Sequence, residues 1–310
     1  MLIALLIVAR AVHIAASILI AGIFTFGVVT LRLGPSASED LRDIERRLLG
    51  LAVWSLIAAA LSALLWYWLE VANMSGLSLM DAFSGAALQR VLLETRFGHV
   101  WQLRLGLIAI TFVLAASWLA RTEVRQYSVT LVLWLLSVVL LVSLAWISHP
   151  AATRVQPLGQ LSDAFHLCAA GGWMGGLVPL AIFLTGGRVS FSLGENFVPI
   201  LQRFSTVSLS CVSVLIATGI SNSYLLVGSI HALFTTVYGW LLLFKLTLFV
   251  ILLGFGARNR FAAKTQLLNS QMIPDLLRQL RRNVICEACL GGAIVIIVAC
   301  LGVTPPARHL

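Results

Sequence analysis

The sequence predicts an all-α polytopic membrane protein with eight transmembrane helices, and three observations predict it. Hydrophobic residues fill 60% of the 310 positions and charged residues only 11%, against about 25% charged residues in soluble domains. Apolar runs near the ~20 residues needed to cross a bilayer recur eight times. The charged residues gather in the short stretches between those runs, where they set orientation rather than solubility.

Taken in order, the expected spans are 3–31, 50–69, 98–119, 127–147, 162–184, 204–227, 236–256 and 283–303, in one integral membrane domain over 1–310. The first run lacks a basic leader and stays apolar through Val29, so it is expected to persist as an anchor. Between spans two and three, residues 77–97 are only partly apolar and carry Asp81, Arg90 and Glu94. That composition suits a helix lying along the interface.

Fourteen of the 21 Lys and Arg fall in loops one, three, five and seven, and four on the opposite side. The positive-inside rule then puts those loops in the cytoplasm and both termini outside. The net charge of +9 is accounted for by topology, and no basic stripe on a soluble surface suggests nucleic acid. The five cysteines, Cys168, Cys211, Cys286, Cys289 and Cys300, lie in apolar segments and read as free thiols. No nucleotide-binding motif is present, which argues against direct ATP coupling.

This orientation places His99, His149, His166, His231 and His309 on the outer side. His13 joins them when span one is measured back from Arg32. Four of the six, His13, His99, His149 and His166, then fall in one shallow outer layer. Within Ser162–Leu180, Asp163 and His166 are three apart and share a helix face, continued by Ala170 and Trp173. Ionisable groups at the edge of a bilayer are costly and usually kept for binding or transport. The alternative is an Asp N-cap beside a satisfied interfacial histidine.

The chain also matches itself. Ala11-Val12-His13-Ile14-Ala15-Ala16 is similar to Ala164-Phe165-His166-Leu167-Cys168-Ala169, and Thr95-x-x-Gly98 with Arg104-Leu105 is similar to Thr236-x-x-Gly239 with Lys245-Leu246. A parallel four-plus-four pseudo-repeat follows, and transporter sites often lie at such repeat interfaces. His13 and His166 are expected to face each other across its axis, with Arg104 and Lys245 as paired cations deeper in. The alternative for those cations is snorkelling to the nearer interface.

Imidazoles beside a carboxylate are what a transition-metal site needs: neutral nitrogens as ligands and an acceptor that orients a ligating ring. His13, His149, His166 and His99 are the candidate ligands, with Asp163 orienting His166. Met174 lies two turns beyond His166 and offers a thioether, or simply packing. Cys286 and Cys289 share one side of span eight and suit Cu(I), or are ordinary small helix residues. Glu287 between them is a carboxylate inside a span, which is costlier than a thiol. Gly171, Gly172, Gly175 and Gly176 allow close helix approach.

A family resemblance rests on a series of short motifs in matching order: Arg10-x-x-His13, Ser148-His149, Asp163-x-x-His166 with Trp173-x-Gly175-Gly176, Arg203-Phe204-Ser205, Tyr238-Gly239 with Lys245, Asn259-Arg260, and Glu287 with Pro305-Pro306. Together they resemble the copper resistance protein D family (CopD/PcoD) over nearly the whole chain. The resemblance implies an eight-span bacterial inner-membrane protein that moves copper from periplasm to cytoplasm, often beside a periplasmic copper carrier of the CopC type. It singles out His13, His149, Asp163 and His166. Departures are Ala21-Gly22, where span one lacks the Trp-Gly-Gly pattern of span five, and His99, which matches no family motif.

The resulting expectation is a copper transporter rather than an enzyme, with both termini periplasmic. An outer histidine layer takes Cu(I) or Cu(II), shaped by Arg10, Trp173 and Asp163. Passage inward uses Met174, Cys286, Cys289 and Glu287, with Lys245 and Arg104 on the path. One alternative is a redox protein holding haem b between two outer histidines. Another is a copper sensor or assembly partner.

Overall fold

The computed structural model describes residues 1–31, 39–121, 127–148, 156–185, 197–267 and 274–309, and contains no strand among them. Each apolar run forms a continuous helix, because backbone groups in hydrocarbon must be satisfied within their own segment. The helices are α1 (Leu2–Thr25, continued as a π-helix over Phe26–Leu31), α2 (Glu39–Ser75), α3 (Gly85–Glu94), α4 (Arg96–Leu119), α5 (Tyr127–Val142, ending in a 3₁₀ stretch over Ser143–Ile147), α6 (Gln156–Phe183), α7 (Phe197–Val227), α8 (Ile230–Thr235), α9 (Val237–Leu267) and α10 (Pro274–Leu301). Eight of these, all but α3 and α8, are long and apolar enough to cross a membrane.

Helix α2 extends well before its apolar core. Glu39 and Asp40 occupy its first turn, where negative charge is favourable at the positive end of the helix dipole. Leu41, Ile44 and Leu48 bury one side of this extension. The stretch expected as a single interfacial helix over 77–97 is instead a 3₁₀ turn at Asp81–Phe83 followed by α3, with a break at Thr95. It is tied down on α2 by Tyr67, whose hydroxyl donates to the Leu88 carbonyl (2.6 Å), and by Trp68, whose indole N–H donates to the Leu79 carbonyl (3.1 Å).

The bundle is organised around α1 and α6. Helix α1 packs on α2, α5, α6 and α10, and α6 packs on α1, α5, α7 and α10. The two cross where Gly22 meets Gly175, so closely that a Cβ on either would strike the other's backbone or the Ile18 carbonyl. Such backbone-to-backbone contact is what small residues permit in membrane bundles, where packing rather than hydrophobicity drives association.

The four-plus-four repeat is visible in local geometry on both sides of this crossing. Gly22 and Gly175 are separated by the same step in numbering as His13 and His166. Thr95 accepts from the Gly98 N–H (2.9 Å) and Thr236 from the Gly239 N–H (3.0 Å), so α4 and α9 are capped alike after the short helices α3 and α8. Helices α2 and α7 each end at a glycine of positive φ, Gly76 (66°) and Gly228 (77°), a conformation open to glycine at little cost. The halves differ in one respect: α2 packs extensively on α4, whereas α7 scarcely touches α9.

The crossing makes a direct prediction. Gly175→Leu forces side-chain volume into backbone and is expected to destabilise the protein by at least about 1–3 kcal/mol. Gly254→Ala, at a position with nothing within 4 Å of the added methyl, leaves stability unchanged or slightly raised. Thermal unfolding of the detergent-purified variants, followed by size exclusion, checks both.

Candidate functional site

In the N-terminal half, His13 is fully buried between the indoles of Trp66 and Trp101, with ring centroids at 5.6 and 5.3 Å. The Ser62 hydroxyl donates to the Ala58 carbonyl (2.6 Å) and so faces His13 as an acceptor. Nδ1 of His13 therefore carries the proton, donating to the Ala59 carbonyl (3.0 Å) with Ser62 Oγ at 3.2 Å. Nε2 accepts from the guanidinium of Arg104. Both ring nitrogens are engaged, which leaves none for copper or for haem iron. His13 is thus held by α2 and by Arg104 of α4.

Arg104 is itself fully buried. It donates to the Leu140 carbonyl (2.7 Å) and the Ser143 hydroxyl at the end of α5, and lies 3.4 Å from Ser17 Oγ. Rather than snorkelling, this cation is held in place by α1 and the end of α5 through its terminal nitrogens, while its Nε has no hydrogen-bond partner among the described residues. Arg10 stacks over Trp66 at 4.5 Å, and Trp66 donates to Glu70 (3.3 Å), whose charge acts on Arg10. The half is filled with indole and guanidinium.

The corresponding place in the C-terminal half is built alike but lined differently. His166 on α6 donates from Nδ1 to the Thr218 hydroxyl of α7 (2.9 Å), because Thr218 spends its own proton on the Val214 carbonyl (2.6 Å). Thr218 thus does for His166 what Ser62 does for His13. Lys245 of α9 acts electrostatically on His166 and Asp163, as Arg104 acts on His13. By the same register Asn222 stands for Trp66, Leu242 for Trp101 and Asp163 for Arg10. Asn222 accepts from Ser162 (2.8 Å). With both indoles gone, His166 is only partly buried, and its Nε2 makes no hydrogen bond among the described residues. Asp163, one turn away, accepts from the Ser148 hydroxyl and is also felt by Tyr238.

The other sequence candidates fall into separate places. His99 is exposed and bonds the Leu93 carbonyl through Nε2 (3.0 Å). His149 lies outside the described residues. Among the described residues no three His, Cys, Asp or Glu side chains converge as a metal cluster. Trp173 is buried on α6 at the head of an internal cavity, with Glu287 buried in its wall. Met174 packs on α10 at Gly291. Cys286 and Cys289 are exposed, Cys289 lines an open surface groove with Arg281, and neither lines the cavity that holds Glu287. Thr218, Tyr238 and Asn259 were given no role from the sequence. Extending the self-match from His13/His166 to the second span of each half would have reached Thr218.

These features define a polytopic helical membrane protein of two tandem four-span halves, one with a sealed histidine–cation pair and one with an open histidine–carboxylate–cation site. Residues 1–156 match the family model "Copper resistance protein D-like, N-terminal domain" and residues 198–301 match "Copper resistance protein D". The chain belongs to the copper resistance protein D family. It is 27% identical over 295 residues to Copper resistance protein D of Pseudomonas syringae pv. tomato, covering 92% of this chain and 91% of that one. It is 28% identical over 260 residues to Inner membrane protein YebZ of Escherichia coli (strain K12), covering 81% and 82%. It is also 28% identical over 235 residues to Copper transport protein CutJ of Bacillus subtilis (strain 168), covering 74% of this chain but 42% of CutJ. No solved structure matches the chain.

The contrast between the two histidines is testable by stability alone. His13→Ala leaves a buried guanidinium donor without its acceptor and is expected to cost at least about 1–3 kcal/mol. His166→Ala, at a partly exposed ring with one hydrogen bond, costs about 1 kcal/mol or less. Paired thermal melts distinguish them, and equal losses contradict the assignment of a sealed and an open half.

Proposed function

We propose that the protein moves copper across the bacterial inner membrane, from periplasm to cytoplasm, and that copper first coordinates at His166. The observation that carries this reading is the Nε2 of His166, which makes no hydrogen bond among the described residues: Thr218 fixes the proton on Nδ1, which presents a neutral imidazole nitrogen of the kind copper binds. Asp163 supplies the countercharge one turn away. Copper as cargo is supported by the family and by the names of the relatives from Bacillus and Pseudomonas. His149 is the candidate second ligand on sequence grounds, since it follows Ser148, the residue bonded to Asp163. His13 serves as scaffold, and His99 is left out of the site.

The direction rests on loop charge: loops one, three, five and seven, rich in Arg and Lys, face the cytoplasm, and the His166 end then faces the periplasm. A soluble periplasmic carrier of the CopC type would deliver copper at that end.

Uptake of Cu(I), held reduced with ascorbate, into sealed vesicles containing the purified protein is the test. The native chain is expected to accumulate copper well beyond one equivalent, and His166→Ala to fall to the level of empty vesicles. Asp163→Asn, which removes the countercharge beside the site, is expected to weaken copper binding about tenfold or more. Unchanged uptake by His166→Ala would overturn the site, and saturation at stoichiometric copper would mark a binding protein instead.

A further inference from the structure

The two halves place a cation at the same point and use it differently. Arg104 lies six residues past the capped Gly98 on α4, and Lys245 six past the capped Gly239 on α9, so both stand at one depth beside the histidine of their half. In the N-terminal half the guanidinium donates to Nε2 of His13 and to the Leu140 carbonyl. One turn before His13 stands a second cation, Arg10, over the Trp66 ring. Glu70 acts on Arg10, and no carboxylate among the described residues acts on Arg104. Nothing there draws Arg104 away from the imidazole.

In the C-terminal half Asp163 holds the position of Arg10. Lys245 and Asp163 act on each other through opposite charge, and Nε2 of His166 makes no hydrogen bond among the described residues. The packing of α9 on α6 supports the same pairing. Phe249, one turn inward of Lys245 on the same face of α9, meets Trp173 of α6 edge to face, with ring centroids 6.1 Å apart and planes at 81°. Trp173 continues the face that carries Asp163 and His166, so this side of α9 turns Lys245 toward them. The other groups around the ring are neutral: Thr218 accepts from Nδ1 (2.9 Å) and Asn222 accepts from Ser162 (2.8 Å). Glu287, buried farther inward, accepts from the Asn259 amide and is not acted on by Lys245. The two cations also differ in kind. A guanidinium is a planar fork that serves an imidazole and a carbonyl at once, whereas an ammonium is a compact point charge on a flexible stem.

We propose that Asp163 and Lys245 are positioning residues that keep the ligand nitrogen of His166 open: Asp163 draws onto itself the cation that in the other half closes His13. This rests on the transport reading for the choice of Nε2 as the ligand atom, and adds to it that the site carries its own tethered cation. Arriving copper shares Asp163 with Lys245, whose like charge opposes over-tight binding.

Diethyl pyrocarbonate, a small neutral reagent that acylates unprotonated imidazole nitrogen, tests this on the purified full chain without copper, read by site-resolved mass spectrometry against the exposed His231. In the native chain His166 is expected to react and His13 to stay unmodified. Asp163→Asn, of equal size and no charge, is expected to slow the reaction of His166 about tenfold or more, because Lys245 then donates to Nε2 and a charge-assisted hydrogen bond must break first. Lys245→Arg is expected to do the same, by supplying the donor that closes His13; the asparagine variant carries this arm if the arginine variant does not fold. Adding Lys245→Met to Asp163→Asn is expected to restore the native rate, a rescue that a merely structural role for Asp163 would not give. An unreactive His166 in the native chain, an Asp163→Asn rate equal to native, or a double variant no faster than Asp163→Asn alone would each overturn the proposal. The copper reading falls to a different result, unchanged copper uptake by His166→Ala.

Discussion

The contact on which the rest of the structure depends is the crossing of α1 and α6 at Gly22 and Gly175. No side chain fits between them, so the two first helices of the halves are locked at one depth and one rotation. Every other correspondence follows from that lock. His13 and His166 sit nine positions before the crossing glycines in their helices, each turned into its own half, and each meets the second and third spans of that half. A pseudo-axis through two glycines therefore separates the histidines, and each half keeps its own site.

The second constraint is the burial of a cation. Placing Arg104 at zero exposure inside a membrane bundle is costly unless its donors are used, and the N-terminal half is arranged around that need: α5 ends in a 3₁₀ stretch that offers the Leu140 carbonyl and the Ser143 hydroxyl, and α1 offers His13. Two indoles close the remaining space. The C-terminal half keeps the histidine, the hydroxyl that sets its tautomer and the cation, but replaces both indoles and exchanges Arg10 for Asp163. A single scaffold is thus sealed in one copy and accessible in the other, and chemistry is available where the packing was relinquished.

Much of this was legible in the sequence. Eight spans followed from apolar run length, and the repeat from two short matches, because bilayer thickness and helix pitch leave few alternatives. Asp163 and His166 stood out because charge in a span is expensive. The bonding of His13 to Arg104 was not legible because a one-dimensional layer of histidines carries no information about azimuth: depth could be counted from Arg32, but the partner on α4 could not. The thiols meet the same limit. Cys286 and Cys289 do share a helix side, yet that side points outward, while Glu287 between them points in. Asn259 belonged to a recognised motif but needed the packing of α9 on α10 to acquire its carboxylate.

What separates the two polar ends of the C-terminal half is then a matter of backbone as well as aromatic rings. Pro179 lies inside α6 and has no N–H to give the carbonyl four residues earlier, which belongs to Gly175. The α6 ladder is interrupted at the residue where the helix crosses α1, two positions past Trp173. The glycine that fixes the two halves together and the proline that weakens α6 below them bracket the same turn. Above it, His166 and Asp163 are held by α7 and by charge from α9; below it, α6 faces the cavity opened by the poor contact of α7 with α9. The half with the accessible histidine is therefore also the half whose central helix carries a proline between its two polar ends, whereas the matching position of α1, Phe26, opens a π-helical stretch.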